Sequence, residues 1–381
     1  MIDMQDIIQK NRVWYCQECG KCSAVCPITQ WESRAFSSPR LLVNKAMDGK
    51  PEAVLDDPLF WTCLTCKRCS LLCPSDVYFS EFIRDFRTLA RARGLSGECT
   101  HGEIIQTWGK MMAHSDLNQD RLGWISRDLN VSDDSEIVYF TGCLPFYDAL
   151  FGNLEFEGLE IARAAVKIMN HLGIAPQVMA QERCCGHDQL WQGDFDTFRA
   201  LAKLNLEHLL STGAKKIVTT CPECALTLGR EYPKYIGEHG MEVVHLSQLL
   251  SPALTDGSLV AGSPDPMRVT YHDPCRLGRY LGVFDEPRSL LSALGFELIE
   301  MERVRQAGLC CGTTGWTSCG RTSKNIQIER LQQAARTGAQ ILVTACLKCQ
   351  IHFRCARSDP GLEDTLDFKI QDLTTLIANH L

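Results

Sequence analysis

Apolar and polar positions divide the 381-residue chain into two kinds of pattern. From residue 136 onward, short β-branched runs alternate with longer helical stretches. The first such series predicts a strand at 137–141, a helix at about 157–172, a strand at 176–179, a helix at about 194–211 and a strand at 216–220. This alternation predicts βαβ units with a parallel sheet. The run Val269-Thr270-Tyr271-His272-Asp273-Pro274 restarts it. The stretch 211–224 aligns without gaps on 336–349, and 243–250 resembles 368–377, so this part of the chain is a duplication. The first 135 residues read differently. The stretch Trp31 to Lys50 has few β-branched residues and predicts a helix, with Pro39 in a first turn. Residues 81–93 predict a second helix ending at Gly94. Residues 100–135 are mixed and polar, and Ser132-Asp133-Asp134-Ser135-Glu136 reads as the end of a linker. Lone histidines there, His101 and His114, are expected to be structural or surface residues.

The expected fold is therefore an α+β multidomain protein: a helical domain at 1–135, then two duplicated α/β domains with parallel sheets at 136–260 and 261–381. A chain of this length accommodates several cores. Its 45% hydrophobic and 22% charged residues are ordinary for a globular protein. The net charge of −7 argues against nucleic acid or an anionic membrane as the main partner. No stretch reaches the ~20 apolar residues of a membrane span.

The 21 cysteines add chemistry to this outline. Met1-Ile2-Asp3-Met4-Gln5-Asp6 lacks the basic start and apolar run of a signal peptide, and the cysteines fall at metal-ligand spacings. A reducing cytoplasm and metal–sulfur ligation are expected, rather than a disulfide framework. Cys16, Cys19, Cys22 and Cys26-Pro27 form C-x-x-C-x-x-C-x-x-x-C-P, and Cys63, Cys66, Cys69 and Cys73-Pro74 repeat it. This is the bacterial ferredoxin spacing for a cubane 4Fe–4S cluster, in which the fourth cysteine ligates the other cube. Cys16, Cys19, Cys22 and Cys73 are then one ligand set, and Cys63, Cys66, Cys69 and Cys26 the other. Paired zinc sites would leave thiols of each motif unused. The helical segment between and after these motifs resembles the helical ferredoxin domains of the succinate dehydrogenase and heterodisulfide reductase families. Its basic residues Lys67, Arg68, Arg84, Arg87, Arg91 and Arg93 are expected to form a solvated helix face or to guide a docking partner.

Each duplicated unit carries five further thiols. The first has Cys143, Cys184-Cys185-Gly186 and Cys221-Pro222-Glu223-Cys224. The second has Cys275, Cys310-Cys311-Gly312 and Cys346-Leu347-Lys348-Cys349. Neighbouring side chains in extended chain diverge, so using both thiols of a Cys-Cys pair at one centre needs a kink that the following glycine permits. Cys143 and Cys221 fall at carboxyl ends of predicted strands, the ligand-binding edge of an open α/β sheet. Helix N-termini at the same edge favour thiolates and sulfides. For one unit alone, buried free cysteines, a vicinal disulfide or a thioredoxin-type C-x-x-C are alternatives, but the last explains only two thiols of five. Neither unit has G-x-G-x-x-G, so no nucleotide cofactor is expected.

A lone cysteine, then Cys-Cys-Gly, then C-x-x-C, present twice behind two ferredoxin motifs, resembles the catalytic subunits of heterodisulfide reductases in the form that couples to a membrane cytochrome b. The resemblance covers the whole chain. It implies an iron–sulfur oxidoreductase of anaerobic metabolism with two cubane 4Fe–4S clusters and, on each five-thiol set, a noncubane 4Fe–4S cluster, the two reducing a disulfide held between them. It also implies redox partners: a flavoprotein, a ferredoxin-like donor or a membrane cytochrome b, with the chain cytoplasmic or peripheral at the inner membrane face through such a partner. The disulfide is a small molecule or belongs to a protein. The alternative is a relay subunit of a larger flavin-containing, electron-bifurcating complex that binds no disulfide. His272 and His187 are candidates for proton delivery. Arg276 and Lys348 neighbour ligand cysteines and are candidates for offsetting cluster charge or binding an anionic substrate tail, against the alternative of surface positions. Cys99, Cys319 and Cys355 lie outside the motifs and carry no assigned role.

Overall fold

In a computed structural model of the chain, residues 3–32, 38–49, 52–255, 257, 259, 267–360, 362 and 366–381 are described. Two parallel sheets form the carboxyl-terminal two thirds. The first is ordered β1 (Ile137–Tyr139), β2 (Lys216–Thr219), β3 (Glu242–His245). The second contains β4 (Arg268–His272), β5 (Glu297–Leu298), β6 (Ile341–Thr344) and β7 (Lys369–Asp372), in the order β5-β4-β6-β7. The expected strand at 176–179 is reduced to one parallel bridge, Val138 with Gln177, made by Tyr139 N–H to the Gln177 carbonyl and Gln177 N–H to the Ile137 carbonyl at 2.8 Å each. It occupies the place that β5 takes in the second sheet, so the two units share one strand order.

The duplicated stretches form matching strand–helix joints. In the first, β2 leads through Cys221 into the helix Pro222–Leu226. In the second, β6 leads through Cys346 into the helix Leu347–Arg357. The long helices Gly158–His171 and Phe195–Ser211 lie close to their expected bounds. Asp194 caps the latter by accepting from Thr197 N–H at 3.3 Å.

The amino-terminal part is helical. The predicted helix at 31–50 is instead two: Pro27–Trp31 ends where Glu32 turns extended, and Pro39–Met47 starts afresh behind a Ser38 cap. The intervening residues 33–37, and Lys50, lie outside the described residues. The helix Phe79–Ala92 buries Phe79, Phe82, Ile83, Phe86 and Ala90, a stripe at helical spacing.

Two of the basic residues expected on a solvated face are instead fully buried on this helix. Arg87 donates to the carbonyls of Phe60, Trp61, Cys63 and Trp191 at 2.8–3.0 Å. Arg84 pairs with Asp85 at 3.0 Å and Glu231 at 3.3 Å. The helix lies so close to the first unit that a Cβ on Gly193, at φ +89°, would come within 2.3 Å of the Arg87 backbone. Nor are residues 100–135 a free linker. They contain the helix Ile104–Met112, and Arg121 donates to the Gly142 carbonyl and to Glu182, both at 2.6 Å.

Packing ignores the boundaries read from the sequence. One apolar core joins the first unit to Val269, Tyr271, Leu290 and Val343 of the second. Another joins Phe60, Phe82 and Phe86 of the helical segment to Leu342, Phe353 and Ile370 of the second. The second sheet is thus packed against the first unit on one face and the helical segment on the other.

Replacing Arg87 with Met strands four buried carbonyls and is expected to lower unfolding stability by about 3–5 kcal/mol, read from chemical denaturation. Burial pushes the Asp372 carboxyl up to about 6, against hydrogen bonds from Thr374 and Gln350. An acid with a raised folded value contributes stability below its unfolded value near 3.8 and loses it as pH rises through about 6. Asp372→Asn should therefore gain about 3 kcal/mol relative to the native chain between pH 3.5 and 7, measured by paired denaturation curves.

Candidate iron–sulfur site

The two ferredoxin-type motifs wind alike. Glu18 and Gly20 in the first, and Thr65 and Lys67 in the second, all have positive φ, from 44° to 77°. These left-handed residues fold successive thiols around a centre. The fourth cysteines cross over. Cys73 acts electrostatically on Cys16 and Cys22, while Cys26 acts on Cys63 and Cys69. A small cavity of about 20 Å³ is lined by Cys26, Cys63, Cys66 and Cys69. Cys19 is exposed, whereas Cys26, Cys63 and Cys66 are buried.

The five thiols of each unit also converge, in the same order. In the first they touch as Cys143–Cys184–Cys185–Cys224–Cys221, with Cys185 Sγ 3.5 Å from Cys224 Sγ. In the second they touch as Cys275–Cys310–Cys311–Cys349–Cys346. The glycine after each pair makes the expected kink: Gly186 has φ +82° and Gly312 φ +87°. A Cβ on Gly312 would meet the Ser323 carbonyl at 2.7 Å. Asn205 donates to the Cys184 carbonyl at 3.0 Å and Tyr232 to the Cys185 carbonyl at 3.1 Å, fixing the pair's backbone. Hydrogen bonds from Cys143 and Cys185 hold the Cys184 thiol well below its ordinary value, and those from Cys310 and Cys349 bring Cys311 down to about 6. The two sets approach each other where Cys221 acts on Cys346.

Among the described residues, no three His, Cys, Asp or Glu side chains are placed to hold a single metal ion. A cluster of several irons spreads its ligands over separate atoms. Five thiols in a contact chain, all buried but the partly exposed Cys143 and Cys275 of the respective sets, suit that donor pattern. A second small cavity, of about 10 Å³, lined by Cys275, Cys311, Cys346 and Cys349 with Glu223, Arg276 and Lys348, adjoins the second set.

Charged residues fill the junction between the sets. Arg276 and Lys348 are buried, not surface positions. Lys348 Nζ lies 2.5 Å from Asp188 and 2.8 Å from Glu223. Burial works against its charge, yet these two carboxylates hold it well above the ordinary lysine value. Glu223 and Lys348 stand at matching positions of the two C-x-x-C motifs and pair across the junction. Arg276, on a π-turn at Arg276–Tyr280, lies in the corner formed by the Trp191 ring at 4.0 Å and the Tyr280 ring at 4.5 Å, which meet edge to face. It donates to the Thr65 carbonyl at 2.6 Å, Thr65 Oγ1 at 2.8 Å and His187 Nε2 at 3.2 Å.

The two candidate histidines occupy different settings. Since His187 Nε2 accepts from Arg276, its proton is on Nδ1, 2.9 Å from Thr227 Oγ1. His272 Nδ1 accepts from Arg330 at 3.2 Å, and its Nε2 has no partner. Burial, with Arg276 beside His187 and Arg330 beside His272, keeps both well below the ordinary histidine value, so both rings are neutral. Three residues that the sequence reading passed over also belong here. Asp188 directly follows His187. His352 bonds Thr313, so the His187–Thr227 pair of the first unit recurs in the second with histidine and threonine exchanged. His245 ends β3 beside the backbones of Thr220 and Ala345, just before Cys221 and Cys346. The offset between the copies would have revealed the exchanged pair. The place of His245 depends on how the sheets meet. Cys99 pairs by backbone with Thr317, and Cys355 lies 3.3 Å from Lys324, both outside the thiol sets.

Residues 10–77 match the 4Fe-4S dicluster domain family, and residues 137–229 and 269–354 each match the cysteine-rich domain family. Fold and site together define a class: an iron–sulfur protein that joins a dicluster domain to two cysteine-rich domains. The chain belongs to the heterodisulfide-reductase-related family of iron–sulfur oxidoreductases. It is 33% identical over 271 residues to one component of the dihydromethanophenazine:CoB–CoM heterodisulfide reductase of Methanosarcina barkeri, a match covering 69% of this chain and 63% of that one. This chain thus spans under two thirds of that relative's length. It is 27% identical to one component of the fumarate reductase (CoM/CoB) of Methanothermobacter marburgensis, over 98% of this chain and 74% of that one. A crystal structure of a hypothetical protein from Helicobacter pylori shares the fold, with a TM-score of 0.57 at 10% identity over 100% of this chain and 77% of that one. Among the described residues, no helix is long and apolar enough to cross a membrane.

Lys348→Met leaves Asp188 and Glu223 buried without their cation. It is expected to cost about 3–5 kcal/mol of unfolding stability, with most of the loss recovered in the triple variant Lys348→Met, Asp188→Asn, Glu223→Gln.

Proposed function

We propose that the chain is a heterodisulfide-reductase-like subunit that takes electrons in at its amino-terminal domain and delivers them to a disulfide. Cys16, Cys19, Cys22 and Cys73, and Cys63, Cys66, Cys69 and Cys26, would hold two cubane 4Fe–4S clusters. Cys143, Cys184, Cys185, Cys221 and Cys224, and Cys275, Cys310, Cys311, Cys346 and Cys349, would hold two noncubane clusters. Such clusters supply one-electron transfer and thiophilic iron, which together suit the two-electron cleavage of an S–S bond. The observation that carries this reading is the identical order of contact in the two five-thiol sets, with Cys221 near enough to Cys346 to act on its charge.

The remaining residues have tasks consistent with it. Arg276 and Lys348 offer positive charge to an anionic substrate tail. His187, neutral and 3.4 Å from Glu223, is the first candidate to pass a proton to a departing thiolate. His272, with its Nε2–H unpaired, is the second. The mixed disulfide of coenzymes M and B, the thiols named in both relatives, is the candidate substrate. The expected partners are a flavoprotein, a ferredoxin-like donor or a membrane cytochrome b.

A second reading is a relay subunit without a disulfide of its own. The closed Asp188–Lys348–Glu223 network favours it, because it fills the junction where a substrate would lie.

Anaerobically purified protein should carry about sixteen irons, the sum for four 4Fe–4S clusters; about eight would remove the noncubane assignment. Cys185→Ala or Cys311→Ala should abolish disulfide reduction by a reduced dye while leaving the cubane EPR signals intact. Activity retained in either variant would rule out joint action of the two sets. Wild-type protein with all four clusters but no disulfide reduction would favour the relay.

A further inference from the structure

The duplication produced two thiol sets with the same contact order but with a different balance of charge around them. Beside the second set stand Arg276 and Arg279, both buried and both contributed by the second unit, while the Lys348 ammonium reaches across to Asp188 and Glu223 of the first. Arg276 and Arg279 both act on Cys275. The first unit contributes carboxylates: Asp188 acts on Cys143, while Glu223, between Cys221 and Cys224, acts on Cys346; Arg121, which acts on Cys184, is itself neutralised by Glu182 at 2.6 Å. The Glu223–Lys348 pair marks the divergence most sharply, since matching positions of the two C-x-x-C motifs carry opposite charges 2.8 Å apart.

The helical segment is also packed unequally against the two sets. Cys26, Cys63 and Cys66 share one apolar core with Cys310, Cys311, Cys346 and Cys349, whereas Cys185, Cys221 and Cys224 lie in the other core. Arg279 ties the boundary together by donating to the Cys66 carbonyl at 2.6 Å and the Gly308 carbonyl at 2.8 Å, two residues before Cys310. Tyr280 donates to the Thr65 carbonyl at 2.7 Å. The charge of Cys66 reaches Cys310.

Fixed positive charge in a low-dielectric interior stabilises an added electron, and negative charge opposes it. We infer that the residues around the second set give a cluster held there a higher reduction potential than one held by the first set, and that the second set accepts electrons from the amino-terminal domain. Each electron then leaves the Cys26/Cys63/Cys66/Cys69 site for the second set before it reaches the first. This rests on the reading that both sets hold clusters, and it applies whether the junction binds a disulfide or only relays electrons.

The test is an EPR-monitored potentiometric titration of the full chain with dithionite and mediators. Cys224→Ser and Cys349→Ser assign the two noncubane signals, since each alters the signal of its own unit. The second-unit signal should develop at the higher potential. Freeze-quenching after mixing with dithionite should show it reduced before the first-unit signal. Arg279→Gln removes one of the two charges that act on Cys275 and should narrow the gap between the two midpoints. Asp188→Asn removes the carboxylate that acts on Cys143, should narrow it as well, and serves if the Arg279 variant does not accumulate. Equal midpoints, the reverse order, or a gap unchanged in the folded variants would overturn the inference alone. Fully loaded protein that shows only cubane signals would overturn the cluster reading and this inference with it.

Discussion

The buried guanidinium of Arg276 joins the three parts of the chain. It donates to Thr65 between two ferredoxin-motif cysteines, to His187 beside the first Cys-Cys-Gly, and follows Cys275 of the second set directly. A buried cation costs several kcal/mol unless its donors are satisfied and its charge is compensated. Here the partners come from all three segments, with the Trp191 and Tyr280 rings 4.0 and 4.5 Å from the guanidinium. The cost of burying this charge is offset only when the three segments are assembled. The shared apolar cores say the same, since the second sheet has no face that packs only within its own unit.

Duplication accounts for the likeness of the two units, and their junction accounts for the differences. Away from the junction the copies keep the same strand order, the same left-handed glycine after each cysteine pair and the same sequence of thiol contacts. At the junction they diverge by exchange. Glu223 faces Lys348, and the His187–Thr227 pair is answered by His352–Thr313 with the residue types reversed. Two identical C-x-x-C motifs brought face to face would bury like charges together, or leave polar groups without partners. Exchange removes both problems and leaves the two thiol sets in different fields.

Several features escaped a reading of the chain for a common physical reason. Arg84 and Arg87 lie on a helix whose polar positions suggested a solvated face, yet a large first unit covers that face. A sequence read locally carries no record of what packs against it. Residues 100–135 looked like a linker because they are polar, but Arg121 and Gln106 spend their polarity on buried carbonyls of other segments. The stretch 176–179 has strand character and makes strand-type bonds, but only Gln177 of it pairs, with Val138. Asp188, His245 and His352 joined the site through contacts more than twenty residues away in sequence.

Whatever depends on spacing and periodicity was already legible in the chain. The ferredoxin motifs, the two five-thiol sets, the duplication, the parallel sheets and the need for glycine after each cysteine pair all follow from residue type at fixed intervals, because a short backbone segment has few ways to aim its side chains. Assembly of the fold was needed to set which thiol set lies beside the amino-terminal domain, what fills the space between the sets, and which arginines are buried. Those outcomes depend on desolvation and charge pairing between surfaces far apart in the chain, and such energies exist only once the surfaces meet.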